Sequence, residues 1–526
     1  MRPRHPFHPF LFALYPVLSL LAFNINQLGF AEAGRSFLVI LAGTAVLLVI
    51  AQIWLQDWDK AALLTSLFVI LFFSYGHAAR FLQDRVSSLA ARPSAYDLNR
   101  YLSALWAVIF ILGTWAIWRV LKRDLRAYTR FLNTAAAVAL FMPTLSLATH
   151  AIRSLGTTPH PGPTLAATQT QKHTQPTASP DIYYIVMDAY GRQDVLRDVY
   201  NFDNSAFLSF LEERGFYVAV DSHSNFGQTS LSLASSLNFK YLGHLAASVG
   251  ESSSDRQPLA QMIQESQLRT FLESHGYQII SVASGWRASE LRDADTYLAA
   301  SGSVINDFEG MLLGNTVPGT LFQTTLLFEM KRRRVRFAFD ALGDTVNADS
   351  PKFVFAHVVS PHPPFVFGPN GEAVDPDRDY TLFDGVEFGL SRESYIRGYR
   401  DQVRYMNILL EQTIDYILAE SASPPVIILQ GDHGPGAYVN WGSVERTCLP
   451  EKMSILNAYY LPGTGASHLY KTITPVNSFR VVLDNYFNAG LGLLEDKSYF
   501  SLWDTPYDFV EVTTQLESDC RTLAEE

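Results

Sequence analysis

The sequence predicts a bundle of five transmembrane α-helices followed by an α/β domain whose mostly parallel sheet is covered by helices on both faces. Three observations carry this reading. Five charge-free runs fill the first 150 residues, a Pro/Thr-rich stretch follows, and short strand-like runs then alternate with helical patterns. A chain of 526 residues also exceeds one ordinary domain. Its charged fraction is 17%, below the roughly 25% of soluble domains, and the deficit lies at the N-terminal end.

The runs without Asp, Glu, Lys or Arg are 9–30, 36–56, 62–79, 102–118 and 131–151. Each approaches the roughly 17–25 residues that a helix needs to cross a bilayer. One such run reads equally well as a buried core helix; five in succession do not. The first is too long, and too closely followed by others, for a cleaved leader.

Charge sets the expected orientation. The loop 119–130 holds Arg119, Lys122, Arg123, Arg126 and Arg130 against Asp124, and Arg2 and Arg4 stand at the N-terminus. Basic loops stay in the cytoplasm, so the N-terminus is expected inside and the C-terminal domain outside. The loop 80–100 runs against this, with four arginines on the outer side. No run contains a full charge, which favours an anchor or lipid-contacting platform over a translocation path.

Residues 157–180 hold seven Thr and five Pro, with no acids and no aromatics. Such a segment cannot bury a core and is expected to be a tether. The expected organisation is therefore a membrane domain over 1–156, a linker over 157–180 and a catalytic domain over 181–526. The net charge of −11, with no dense basic tract beyond one loop, argues against a nucleic-acid partner. Cys448 and Cys520 are too few for a zinc ribbon or a disulfide framework. One disulfide or two free thiols remain open.

In the C-terminal part, IYYIVM (182–187), KFVFAHVV (352–359) and VIIL (426–429) are apolar runs of strand formers, and YQIISV (277–282) is a weaker one. Helical patterns lie between them, such as Asn204 to Arg214 and Tyr395 to Ala419. Apolar strands alternating with helices imply a buried, mostly parallel sheet. Ligands bind beyond the carboxyl ends of such strands. The first run leads into Asp188, the last through Gln430-Gly431 into Asp432-His433-Gly434, and KFVFAHVV contains His357 with His362 just beyond. Each alone is ordinary, because Asp-His-Gly is often a turn and an Asp after a strand is often a helix cap. Together, two carboxylates and imidazole suit one divalent metal ion, Zn²⁺ or Mn²⁺ first, Mg²⁺ or Ca²⁺ next.

The segment SNFGQTSLSLASSLN (224–238) places Thr229 after a glycine and at the start of a predicted helix. Free backbone N–H groups at a helix start favour a phosphate or sulfate, and a neighbouring metal can activate the hydroxyl. The plainer alternative makes Thr229 a helix N-cap.

DIYYIVMDAYGR, NFGQTSLSLASSLN and ILQGDHGPG, in that order, resemble the alkaline phosphatase superfamily. The sulfatase-like membrane branch, with lipoteichoic acid synthase and the phosphoglycerol and phosphoethanolamine transferases, is the most similar. ILNAYYLPG (455–463) and TPVNSFRVVLDNYF (474–487) look like that branch too. The resemblance implies that Asp188, Thr229, Asp432 and His433 are metal ligands and that Thr229 is the nucleophile. It implies that His362 contacts substrate phosphate, with His357 as a second candidate, and that Trp286 and Arg287 bind substrate. It implies a multi-pass protein of a bacterial-type inner membrane with an extracytoplasmic catalytic domain. The expected activity is transfer of a phosphoglycerol or phosphoethanolamine group from a membrane lipid donor to an envelope glycan or lipid. Phosphoric or sulfuric ester hydrolysis is the alternative within the fold, and a non-catalytic envelope-binding scaffold is the rival from another class.

Three departures bear on the substrate. Thr229 is followed by Ser-Leu-Ser-Leu, which excludes the Cys/Ser-x-Pro-x-Arg motif that sulfatases convert to formylglycine. Ala189 stands where sulfatases have a second acid, and two cysteines cannot supply the several disulfides of phosphoethanolamine transferases.

Overall fold

The computed structural model describes residues 6–25, 30–86, 95–120, 125–156, 179–300, 306–374, 380–517 and 520. The linker expected over 157–180 lies outside them except for its last two residues. The chain forms two units, one of residues 1–168 with 304–327 and the other of residues 169–303 with 328–526.

The first unit contains α1 (His8–Asn24), α2 (Phe30–Leu55), α3 (Trp58–Val86), α4 (Ala95–Trp115, prolonged by a π turn to Val120) and α5 (Arg126–Gly156). Four of the five are long and apolar enough to cross a membrane, and α1, at 17 residues, is a shorter apolar helix. The run expected over 9–30 is divided, since α1 ends at Asn24 and Phe30 opens α2. Many apolar side chains stay exposed, among them Leu38, Ile53, Ile111 and Phe141, as lipid-facing helices require. Polar contacts hold helix to helix. The backbone N–H of His8 donates to Asn133 Oδ1 at 2.8 Å, its Nδ1 lies 2.6 Å from Ser66 Oγ, and Thr129 Oγ1 donates to Asp59 at 2.8 Å.

A segment from far along the chain joins this bundle. The helix Asp307–Leu313 opens with a capping box between Asn306 and Glu309. It buries Phe308 and Leu312 against Val17 and Leu21 of α1, Ile25 just beyond it, Ala33 of α2 and Leu147 of α5. Arg35 pairs with Glu309, Asn306 Nδ2 donates to Glu32 O at 3.1 Å, and Gly76 N donates to Asn315 O at 3.1 Å. A Cβ at Gly76 would fall 2.3 Å from the carbonyl oxygen of Gly314, so only glycine admits this approach. The contacts fall at the ends of α1 and α5, the start of α2 and the later half of α3. Those are the same end of an alternating bundle. The sequence reading assigned residues 306–327 to the catalytic domain; the structure groups them with the membrane helices.

The second unit is built on a seven-stranded sheet. Its strands are β1 (Ile182–Met187), β2 (Tyr217–Val218), β3 (Gln278–Val282), β4 (Thr296–Leu298), β5 (Lys352–Val358), β6 (Val426–Gly431) and β7 (Asn457–Tyr460), in the order β2-β7-β6-β1-β5-β3-β4. β1 pairs in parallel with β5 and β6, β3 with β4 and β5, and only the pairings of β7 are antiparallel. The four strands read from sequence are the four central ones that bury both faces. Alternation along β1 divides its side chains between two cores. Tyr183, Ile185 and Met187 join one, with Val403, Met406 and Leu410 of the long helix Arg392–Glu420. Ile182, Tyr184 and Val186 join the other, with Leu231 and Leu233 of α6 (Thr229–Ser236) and Phe479 and Val482 of the helix Pro475–Phe487. Cys448 and Cys520 are disulfide-bonded, with Cα atoms 5.3 Å apart.

Ile428 of β6 is fully buried. Ile428→Ala is expected to destabilise the second unit by about 2–5 kcal/mol, as for other large-to-small core changes. A lowered thermal unfolding midpoint of the intact protein in detergent is the measurement.

Candidate metal-dependent active site

The parallel register determines what meets at the rim. Met187, the last residue of β1, is opposite both Val358 of β5 and Gly431 of β6. Asp188 and Asp432 therefore leave adjacent strands side by side, and His362 follows the third. The reversal of strand order next to β1 makes this end a crevice.

Asp432 uses one oxygen structurally. Its Oδ1 accepts from the backbone N–H of Ala189 at 3.0 Å and of His433 at 2.9 Å. Ala189 holds φ 65°, a left-handed conformation that is rare for a residue with a side chain. In this conformation its backbone N–H points at Asp432. Gly434 turns the chain away from the site, and a Cβ there would lie 2.0 Å from Glu451 O.

His433 Nδ1 lies 2.9 Å from the carbonyl oxygen of Gly434 and must donate to it. Its Nε2 is left facing Thr229 Oγ1 at 3.1 Å, Asp432 Oδ2 at 3.5 Å and Asp188 Oδ1 at 3.6 Å. Burial holds this imidazole below its ordinary pKa, against the pull of Asp432. It therefore presents a neutral ring with a lone pair on Nε2. Burial by itself would raise the Asp188 carboxyl, but the imidazoles of His362, His357 and His433 outweigh it and hold Asp188 well below the usual carboxylate range.

Thr229 is the first residue of α6, and the cap is Gln228, whose side chain makes no capping bond. The plain N-cap alternative is thus not the arrangement observed. Gln228 Nε2 instead donates to Ser501 Oγ at 3.2 Å and to Leu502 O at 3.1 Å, which fixes the entry to the helix. Unlike the aspartates and His433, Thr229 is only partly buried, so its hydroxyl is reachable from solvent.

Among the described residues, two buried carboxylate oxygens here, Asp188 Oδ1 and Asp432 Oδ2, have no hydrogen-bond partner. Both are of a type that ligates metal ions. Asp188, Asp432 and His433 also offer ligand atoms that lie within 4.8 Å of one another. Buried charges without partners are strongly unfavourable, and two carboxylates with a neutral imidazole fit a divalent cation. The residues present therefore suit the metal that the fold implies.

His357 lies on β5 beneath this group. Its Nδ1 is 2.7 Å from Ser289 Oγ and its Nε2 is 3.5 Å from Asp188 Oδ2. His362 is tied by its backbone N–H to Asp188 O at 3.0 Å, and its carbonyl accepts from Lys331 Nζ at 2.7 Å and Gln402 Nε2 at 3.2 Å. Its Nδ1 lies 2.7 Å from Pro363 O and donates to it, which leaves Nε2 for the cavity. Burial lowers Lys331 to about 7.

The cavity encloses about 270 Å³ and is lined by Asp188, Thr229, Trp286, His362 and His433, all expected from sequence. Arg287 and His357 do not line it. Arg287 begins a 3-10 turn, and its carbonyl accepts from Gln264 at 3.3 Å. Lys452, Asp384, Phe383, Trp441 and Trp503 line the cavity too, and the sequence reading missed them. They come from loops and a short helix with no periodic or motif signal. Lys452 Nζ donates to Asp384 Oδ2 at 2.9 Å and lies 4.9 Å from the centre of the Trp441 ring.

The Sulfatase family model matches residues 180–483, more than half of the chain. None of the curated proteins matches it. Among solved structures, the C-terminal periplasmic domain of EcEptC from Escherichia coli is 11% identical, with a TM-score of 0.43 over 64% of this chain and 93% of that one. The integral membrane protein lipooligosaccharide phosphoethanolamine transferase A from Neisseria meningitidis is 12% identical, with a TM-score of 0.37 over 92% of this chain and 95% of that one. A protein of the alkaline phosphatase superfamily from Vibrio parahaemolyticus is 11% identical, with a TM-score of 0.39 over 62% of this chain and 74% of that one. This chain belongs to the sulfatase family.

Replacing one ligand carboxylate should cost metal before it costs fold. Asp432→Asn keeps an oxygen for the amides of Ala189 and His433 but removes the charge. Elemental analysis of purified protein is expected to show metal content lower by about tenfold or more, with an unchanged circular dichroism spectrum.

Proposed function

We propose that this sulfatase-family enzyme transfers a phospho-substituent, of phosphoglycerol or phosphoethanolamine type, from a membrane lipid donor to an envelope glycan or lipid. The observation that carries the reading is Thr229. Its partly exposed hydroxyl stands 3.1 Å from His433 Nε2, at the mouth of a buried set of metal-ligand atoms. Threonine cannot become formylglycine, so the sulfatase fold here serves phosphoryl chemistry.

Asp188, Asp432 and His433, with the Thr229 oxygen, would hold one divalent metal, Zn²⁺ or Mn²⁺ by donor type. When bound, the metal lowers the hydroxyl's pKa and offsets phosphate charge. Thr229 Oγ attacks phosphorus as its proton passes to water in the open cavity. A bond forms from Oγ to phosphorus, and the bond from phosphorus to the lipid alcohol breaks. His362 Nε2 faces the cavity and, in the imidazolium form with hydrogen on both ring nitrogens, can donate to a phosphoryl oxygen or protonate the departing alkoxide. An acceptor hydroxyl then attacks the phosphothreonine, and Thr229 regains its proton. Water in the same position would give hydrolysis.

The catalytic domain is proposed to be extracytoplasmic. Arg119, Arg126 and Arg130, where α4 ends and α5 begins, fall at one end of the alternating bundle. The helix Asp307–Leu313 and the exit of α5 fall at the other. Membrane helices on every molecule keep the site close to lipid, which raises the effective substrate concentration.

Mass spectrometry of Thr229 after incubation with a membrane lipid extract is expected to find an adduct whose mass identifies the transferred group. Thr229→Ala is expected to lose head-group release by several orders of magnitude. Normal release by that variant would falsify the nucleophile. Release of the group free rather than on an acceptor would favour hydrolysis.

A further inference from the structure

The wall of the cavity that carries Leu382 and Phe383 continues into an exposed apolar lip. Within residues 380–390, Leu382 is 36% exposed, Phe383 55%, Val386 57% and Leu390 36%. The loop is not loose. Between the exposed side chains, Asp384 is 4% exposed and accepts from Lys452 Nζ at 2.9 Å and from the Tyr395 hydroxyl. Val386 N donates to Val439 O at 3.0 Å. Phe388 is buried edge-on against Phe365 and Tyr395. Polar and aromatic anchors turn inward while four large apolar side chains turn outward. Soluble surfaces rarely expose a cluster of this kind unless something binds there.

We propose that this lip binds the acyl chains of the lipid donor. The inference rests on the lipid-donor reading above and adds where the apolar part of that donor lies. Two observations select this occupant. Leu382 and Phe383 line the same cavity as Thr229, His362 and His433, so a molecule whose phosphate meets Thr229 can continue onto the lip. Such a molecule is polar at one end and apolar at the other. The chain also carries four helices long enough to cross a bilayer, which keeps lipid within reach. The buried Asp384–Lys452 pair acts as the positioning element, because it fixes the lip to the short helix Leu449–Met453 beside the His433 turn.

The test uses the full chain in bilayer nanodiscs of phosphatidylglycerol and phosphatidylethanolamine that carry a diazirine on the acyl chain. After irradiation, peptide mass spectrometry is expected to find lipid adducts within 380–390 as well as in the membrane helices. Val386→Asp and Leu390→Ser lie outside the cavity and should lower labelling of the loop severalfold and raise KM for vesicle lipid. Turnover of soluble bis(4-nitrophenyl) phosphate should stay unchanged, which verifies folding. Head-group release without any adduct in 380–390 overturns the lip alone. Protein–protein cross-links from this loop in place of lipid adducts overturn it as well. Adducts in the loop without release of any head group support the lip and sink the transfer reading instead.

Discussion

The arrangement depends on burying two carboxylates side by side. Parallel pairing of β1 with β6 brings Asp188 and Asp432 out at the same level, and both are at most 4% exposed. Like charges in a low-dielectric site repel, and water is not there to screen them. The surroundings answer with two amides on Asp432 Oδ1 and three imidazoles around Asp188. The oxygens that remain unpartnered define where a cation belongs.

Around this centre the chain uses charge to fix loops rather than to meet substrate. Glu451 accepts from the backbone of Ala437 and Tyr438 and from the Tyr200 hydroxyl, and so clamps the turn after His433. Burial pushes its carboxyl up to about 7, against those hydrogen bonds. Lys331 and Gln402 clamp the His362 loop by its carbonyls. A catalytic geometry on loops needs this kind of support, because a loop has no ladder of its own to hold it.

The membrane unit follows a different logic. Its helices expose apolar surface to lipid and meet through small polar contacts, since lipid removes the hydrophobic drive for helix association. The segment of residues 306–315 is the exception. Phe308 and Leu312 are apolar and sit on one face of a short helix, and they bury against α1, α2 and α5. A chain segment from the middle of the catalytic sequence is thereby built into the anchor.

The sequence by itself determined the five apolar helices, the four central strands and the residues at their ends. These are local properties: run length, alternation and the residue that follows a strand. The positions of Asp188, Asp432, His433 and His362 were legible for that reason, that of Thr229 from the predicted helix start, and that of Trp286 only through the family resemblance. Tertiary structure alone decided the rest. Asp384 and Lys452 are 68 positions apart, and nothing near either marks the pair. Residues 306–327 were read as part of the catalytic domain, and only packing reveals which unit they join. Arg287 follows Trp286 in sequence but does not line the cavity. Cys448 and Cys520 were open between bonded and free until the fold brought their Cα atoms to 5.3 Å. In each case the deciding contact is long-range, and a local pattern carries no record of which distant surface a side chain will meet.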